Sequence, residues 1–252
     1  MIKEDFYNNG HSKVFKIQVG KGFLDVQRKL YKITKDYLVD HDDHISLNQK
    51  LCLKFKDIPS DKFWSNLMNE MNNSFELNSL INSKEIFEAF KLIFKNPRKF
   101  EICTFRARLP NQKRVVYDWH QDEGTWFLSK KKLNNKLSAT LWYSINGADE
   151  KNSIEILSKS HTDKLYDHKF INGQGYFSAN TKKVLKKEIF KISTNPSEGV
   201  LFHPLTLHRS VNPSKTVNMK PRYSIDIRFF ENDVKLKYKT SLIFKFKKFL
   251  KN

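Results

Sequence analysis

The chemistry of this chain is concentrated in His120-Gln121-Asp122, in His208 and in Arg222-Tyr223-Ser224. Two imidazoles and one carboxylate fit one face of an octahedral iron(II) ion and leave the opposite face open for a ligand and O2. On a strand, residues two apart point to the same side, so His120 and Asp122 would reach one metal while Gln121 turns away. An arginine soon after the second histidine presents the forked cation that a dicarboxylate cosubstrate such as 2-oxoglutarate needs. His203 is expected to be a bystander, because strand parity from His208 puts it on the opposite face.

These residues need rigid elements to hold them. Three amphipathic helices are predicted in the first hundred residues, with apolar faces Phe23, Val26, Leu30, Ile33 and Tyr37; Phe63, Trp64, Leu67, Met68, Met71 and Phe75; and Ile86, Phe87, Phe90, Ile93 and Phe94. Asp61 and Ser83 are the expected N-caps of the second and third, and Asn96-Pro97 should stop the third. After Pro97 the pattern changes to strands: Phe100 to Ala107, Val115 to His120, Leu137 to Ile145, Ile154 to Leu157, Gly199 to Leu207 and Tyr223 to Phe230, with turn signals at Asn146-Gly147 and Asn195-Pro196. Helices first and strands afterwards predict an α+β, mainly β, fold with a barrel or sandwich buttressed by the helices.

At 252 residues, with 21 Phe, 9 Tyr and 4 Trp, the chain has enough apolar material for one large folded domain. Expected divisions are a helical buttress over 1–97, a β core over 98–230 and a basic extension over 231–252. Cys52 and Cys103 form neither a disulfide framework nor a zinc signature, and there is no signal-peptide or membrane-spanning pattern, so a cytoplasmic protein is expected. The formal net charge is +19. Its lysines are spread over 130–132, 182–187 and 245–251 rather than gathered in one stripe, which argues against a nucleic-acid partner.

The run from Phe105 to Phe230 resembles the phytanoyl-CoA dioxygenase-like branch of the iron(II)/2-oxoglutarate oxygenases, a double-stranded β-helix (jelly-roll, cupin-like) family. Three segments carry the resemblance: WHQDEGTW (Trp119 to Trp126), LWYSINGADEKNSIEILSKSH (Leu141 to His161), and GVLFHPLTLHRSVNPS with PRYSIDIRF (Gly199 to Phe229). It implies His120, Asp122 and His208 as iron ligands and Arg222 as the clamp on the distal carboxylate of 2-oxoglutarate. Ser224 would complete an R-x-S pair on that carboxylate, and Ser210 is a further candidate contact. Trp126 would line the cavity, with an ordinary core tryptophan as the competing reading. The implied activity is hydroxylation of a C–H bond, with iron(II), 2-oxoglutarate and O2 consumed or used and succinate and CO2 released. Asn152-Ser153-Ile154-Glu155 and Ser158-Lys159-Ser160-His161 depart from the family's N-G-x-L and P-G-S-H, and Arg222 lies further from His208 than in typical relatives.

Arg106, Arg108, Trp126 and Trp142 are candidate lining for a polar or anionic small-molecule substrate. Two other readings share this barrel. A nucleic-acid alkylation-repair dioxygenase would use the Arg222 and Arg228 spacing, but the N-x-Y element expected before H-x-D is missing from Phe105 to Asp118. A non-catalytic binding module would not need intact metal and cosubstrate positions. At the C-terminus, Leu242, Ile243, Phe246, Phe249 and Leu250 oppose Lys245, Lys247, Lys248 and Lys251 on a helical wheel, which predicts a terminal cover helix or a peripheral membrane contact.

Overall fold

The computed structural model of the chain describes residues 1–38, 45–100, 103–113, 117–124, 136–163, 165–171, 176–179, 187–211 and 219–235. The helices are α1 (Ile2–Asn9), α2 (Lys21–Tyr37), α3 (Leu47–Lys54), α4 (Asp61–Asn72), α5 (Phe75–Ile81) and α6 (Lys84–Lys91). The strands are β1 (Phe15–Lys16), β2 (Pro97–Lys99), β3 (Thr104–Arg108), β4 (Lys136–Ser144), β5 (Ile154–Leu157), β6 (His168–Ile171), β7 (Tyr176–Ala179), β8 (Ile189–Lys191), β9 (Glu198–Phe202), β10 (His208–Ser210) and β11 (Arg222–Lys235). All the pairings are antiparallel, which with the helices makes a mixed α+β fold. No helix among the described residues is long and apolar enough to cross a membrane.

The larger sheet runs β1-β9-β4-β11-β2, with β3 also paired to β11. Its logic is written in β11, where side chains alternate between two environments. Tyr223, Ile225, Ile227 and Phe229 face outward into the core formed with the helices, while Arg222, Ser224, Asp226 and Arg228 share the other face. Register extends that inner face to Thr140, Trp142 and Ser144 of β4 and to Arg106 and Arg108 of β3.

Aromatic contacts fix the helices to the outer face. Phe90 of α6 stacks on Phe229 with ring centroids 4.2 Å apart, and Phe23 of α2 meets Tyr143 of β4 at 5.5 Å. Each such fully buried ring stabilises the fold by roughly 1.5–3 kcal/mol relative to exposure. On the inner face, Trp142, Val200 and Phe202 pack with Ile154 and Ile156 of the smaller sheet, ordered β10-β5-β8, so the two sheets lie face to face.

The helix faces follow the predicted periodicity, except that Phe87 of α6 is exposed and the helix ends are adjusted. Ser83 caps α6 by accepting from the Ile86 amide, but Asp61 is the first residue of α4 and Ser60 precedes it. Phe75 is not on the α4 face: Ser74 starts a separate helix there and leaves Phe75 80% exposed. The third helix ends at Lys91, before Asn96-Pro97, although Ile93 and Phe94 stay buried. Helices α1, α3 and α5 were not predicted; α3 does carry a capping box, Ser46 with Gln49.

The strand boundaries also shift. The run expected from Phe100 begins at Thr104, and the one expected from Gly199 to Leu207 breaks at Phe202. A turn closed by Thr206 N–H donating to the His203 carbonyl contains Pro204, and the chain then enters the smaller sheet as β10. Around Asn146-Gly147 the expected turn is present, with Gly147 at φ +85°, a conformation glycine adopts without strain. The C-terminal segment from 236 to 252, with its predicted amphipathic helix, lies outside the described residues.

Candidate metal centre

His120, Asp122 and His208 come together although their chain neighbourhoods differ from the expected ones. His208 opens β10, where it pairs with Ile156 and its side chain faces the larger sheet. His120 forms an isolated antiparallel bridge with His208, and the chain then turns, with Gly124 N–H donating to the Gln121 carbonyl. Asp122 therefore reaches the site from the start of a helical segment, whose described residues are 122–124, rather than by strand parity. Gly124 permits that turn to lie against His168, since a Cβ would sit 2.3 Å from its ring. Gln121 points away, accepting from Tyr166 N–H and donating to the Leu205 carbonyl.

One donor atom from each of the three residues lies within 4.8 Å of the others, and all three side chains are buried. The ring tautomers suit a metal. His120 Nδ1 is 2.7 Å from the Asp118 carbonyl and His208 Nδ1 is 3.0 Å from the Thr206 carbonyl, so both Nδ1 atoms carry the proton and both Nε2 atoms are left as donors. Burial and the neighbouring His208 push the His120 imidazole well below its ordinary value, keeping it neutral. Burial alone would raise the Asp122 carboxyl, but the charge and hydrogen bonds of the Arg228 guanidinium hold it well below the usual carboxylate range.

Asp122 is fixed by Arg228, which the sequence offers only for the nucleic-acid reading, and by Thr140, which it does not single out. Arg228 donates to both carboxylate oxygens, Nε to Oδ2 at 3.2 Å and Nη2 to Oδ1 at 3.1 Å, and Thr140 Oγ1 donates to Oδ2. The signal was the alternation Arg222-x-Ser224-x-Asp226-x-Arg228, which places four polar side chains on one face of one strand.

The same side chains wall a cavity of about 120 Å³ bordered by Arg106, Arg108, Trp142, Ser210 and Arg222 beside the three candidate ligands. Arg222 is 4% exposed; its Nη1 donates to Ser224 Oγ at 2.6 Å, its Nε to the Asn152 carbonyl at 3.1 Å, and its guanidinium lies over the Trp142 ring. Among the described residues no carboxylate pairs with it. Burial brings it down to about 9, with Asp226 opposing and Arg108 and Arg106 adding to the effect, so it remains charged at neutral pH. Arg106, by contrast, donates to Asp226 at 2.9 Å and to the Tyr117 hydroxyl at 3.2 Å. Trp126 lies outside the described residues.

A larger concavity of about 690 Å³ opens between α2 and α3, bordered by Leu30, Thr34, Lys50 and Tyr223, and contains none of the candidate ligands.

His203 is outside the cluster, as expected, though in a turn and not on a strand: its Nδ1 accepts from Leu205 N–H, and burial with His161 nearby depresses it to about 3. Its unfolded-state value is the ordinary 6.5, so between those limits the unfolded chain binds the extra proton. Stability from this group is complete above pH 6.5 and is lost as pH falls toward 3. The urea midpoint should fall across that window, and His203→Gln should flatten the fall; an equal slope in both proteins would refute the assignment.

The fold and site together define an antiparallel α+β protein with a buried His-Asp-His set beside an arginine that, among the described residues, has no carboxylate in contact. In fold it is similar to the epimerase SnoN, solved in complex with Fe3+, alpha-ketoglutarate and nogalamycin RO, at 11% identity, TM-score 0.56 and coverage of 91% of this chain and 82% of that one. It is similar also to SnoK, a non-heme alpha-ketoglutarate-dependent carbocyclase from nogalamycin biosynthesis (14% identity, TM-score 0.55, 91% and 83%), and to EvdO2 from Micromonospora carbonacea var. aurantiaca, complexed with 2-oxoglutarate (13%, TM-score 0.55, 94% and 92%). No protein-family model matches the sequence, and no curated protein matches it.

Proposed function

We propose that the chain is an iron(II)- and 2-oxoglutarate-dependent dioxygenase of the phytanoyl-CoA dioxygenase-like type, with its two facing sheets as the walls of a double-stranded β-helix. The observation that carries this reading is the convergence of His120, Asp122 and His208 in a cavity that also holds Arg222, which has no acid partner among the described residues. Two imidazoles and one carboxylate are the donor set that suits iron(II). Arg222, oriented by Ser224 and Asn152, is the fork for the distal carboxylate of 2-oxoglutarate, and Ser210 is a further contact from the cavity wall. The fold's likeness to proteins solved with Fe3+ and alpha-ketoglutarate, or with 2-oxoglutarate, supports the same cosubstrate here.

Bound together, iron(II) and 2-oxoglutarate supply the oxidative chemistry, in which O2 gives one oxygen atom to succinate and one to the substrate while CO2 is released. The chain's own part is positional. Arg228 and Thr140 hold Asp122 ionised and fixed in direction, and the carbonyls of Asp118 and Thr206 hold the histidine tautomers. Because Asp122 supplies a carboxylate, no coordination position is freed for chloride, which favours hydroxylation over halogenation. The substrate is a polar small molecule or biosynthetic intermediate. Arg228 is occupied by Asp122, so the Arg222/Arg228 pair gives no support to the nucleic-acid repair reading.

A metabolite panel scored for stimulated succinate release under iron(II), with His208→Ala as the control, tests the reading. Arg222→Leu should raise the 2-oxoglutarate requirement by at least about tenfold, since a charge-assisted bidentate contact is lost, while iron binding survives. An unchanged requirement would remove Arg222 from the cosubstrate site.

A further inference from the structure

Five arginines border the cavity: Arg106, Arg108, Arg209, Arg222 and Arg228. Three are matched by acids, Arg106 with Asp226, Arg209 with Glu155 and Arg228 with Asp122. Arg108 and Arg222 are not, among the described residues.

Arg108 is 3% exposed, and among the described residues its one hydrogen bond is Nη1 to the Gln112 carbonyl at 3.5 Å, the outer limit for such a contact. It stands directly across from Arg222 in the β3–β11 register, on the same inner face. Burial lowers it to about 10, with Asp61 opposing, so both guanidinium groups are charged at neutral pH.

Two adjacent buried cations, with no carboxylate in ion-pair contact among the described residues and only the more distant charges of Asp61 and Asp226 opposing them, are costly to a fold. One dicarboxylate cosubstrate does not resolve this, because one of its carboxylates goes to the metal and the other neutralises a single arginine. Among the described residues the second arginine still has no carboxylate in contact with it. Gln112 does not supply one: its carbonyl only steadies the Arg108 side chain, while its Oε1 accepts from Leu109 N–H. Arg106, level with Ser224 one step along the same strands, shows how a guanidinium on this wall is neutralised when the fold does so internally.

We propose that Arg108 is a second anion anchor, which takes the carboxylate or phosphate group of the prime substrate while Arg222 takes the distal carboxylate of 2-oxoglutarate. This rests on the oxygenase reading and narrows its substrate class to anionic small molecules. Of the two β3 arginines first considered for substrate, it selects Arg108 over the neutralised Arg106.

The test loads wild type, Arg108→Gln and Arg108→Lys anaerobically with iron(II) and saturating 2-oxoglutarate, then titrates each by calorimetry with inorganic phosphate and separately with acetate. Wild type should bind at least one probe, Arg108→Gln about tenfold or more weakly, and Arg108→Lys in between, because it keeps the charge and loses the fork. Affinity for 2-oxoglutarate should change far less in both variants than in Arg222→Leu, as the Arg222 fork itself is retained. Stronger phosphate binding indicates a phosphorylated substrate, and stronger acetate binding a carboxylic acid. The proposal is overturned if neither probe binds wild type, or if Arg108→Gln binds as well as wild type. It is also overturned if Arg108→Gln loses 2-oxoglutarate affinity to the same degree as Arg222→Leu, which would make both arginines one cosubstrate clamp. Should Arg108→Gln fail to fold, judged by thermal melting, Arg108→Lys carries the comparison. Should wild type bind neither iron nor 2-oxoglutarate, the oxygenase reading fails, and phosphate titrated into the metal-free chain still reports whether Arg108 is an anchor.

Discussion

His208→Ala should leave the chain unable to retain iron(II) through dialysis and should abolish succinate formation. The residue supplies one of three converging donors, and its Nδ1 is already committed to the Thr206 carbonyl, so no neighbouring imidazole can substitute from the same position. His168 is the nearest alternative in character, but its Nε2 accepts from the Gln121 amide and its Nδ1 lies against the Tyr166 carbonyl. Losing a donor outright should exceed the roughly 10–100-fold effect of losing an outer hydrogen-bond partner of a metal ligand. Metal content measured after dialysis is the direct check; wild-type iron content in the variant would remove His208 from the site.

Arg228→Leu should destabilise the metal-free chain by about 3–5 kcal/mol, the cost of leaving a buried carboxylate without its partner. Both groups are nearly inaccessible, and Arg228 contacts both Asp122 oxygens. The sign with pH follows from the depressed Asp122 value: the pair's contribution is present above the unfolded-state 3.8 and is lost as pH falls toward the lower folded value. Urea unfolding at neutral pH should show the full loss, with the difference from wild type shrinking below about pH 4. The double variant Asp122→Leu/Arg228→Leu should be more stable than Arg228→Leu alone, because both charges are then gone. A neutral-pH loss under about 1 kcal/mol, the scale of an exposed pair, would show that the contact does not hold Asp122.

Much of this arrangement was legible because it depends on local periodicity. The outer face of β11, the buried positions of α2 and the Ser83 cap each follow from residue type at fixed spacing. What was not legible depends on contacts between distant segments. The run 199–207 is apolar enough to look like one strand, yet Pro204 and the His203–Thr206 turn divide it between two sheets. His120 and Asp122 were expected to converge by strand parity, and the start of a helical segment at Asp122 brings them together instead. Short helices such as α1 and α3 bury only one or two residues of their own, so their apolar signal is weak. Which arginine lacks an acid could not be read from spacing at all: Arg106 and Arg108 are two apart on one strand, and only the register with β11 gives Asp226 to the first.

The most direct test of the central claim is an anaerobic titration of the wild-type chain with iron(II) in the presence of 2-oxoglutarate, followed by visible absorption. If the buried His120, Asp122 and His208 set and Arg222 serve one site, a weak charge-transfer band of a metal-chelated 2-oxo acid should grow and saturate at one iron per chain, and should not form when succinate replaces 2-oxoglutarate. No band at saturating iron and 2-oxoglutarate, or the same spectrum with succinate, would contradict the account.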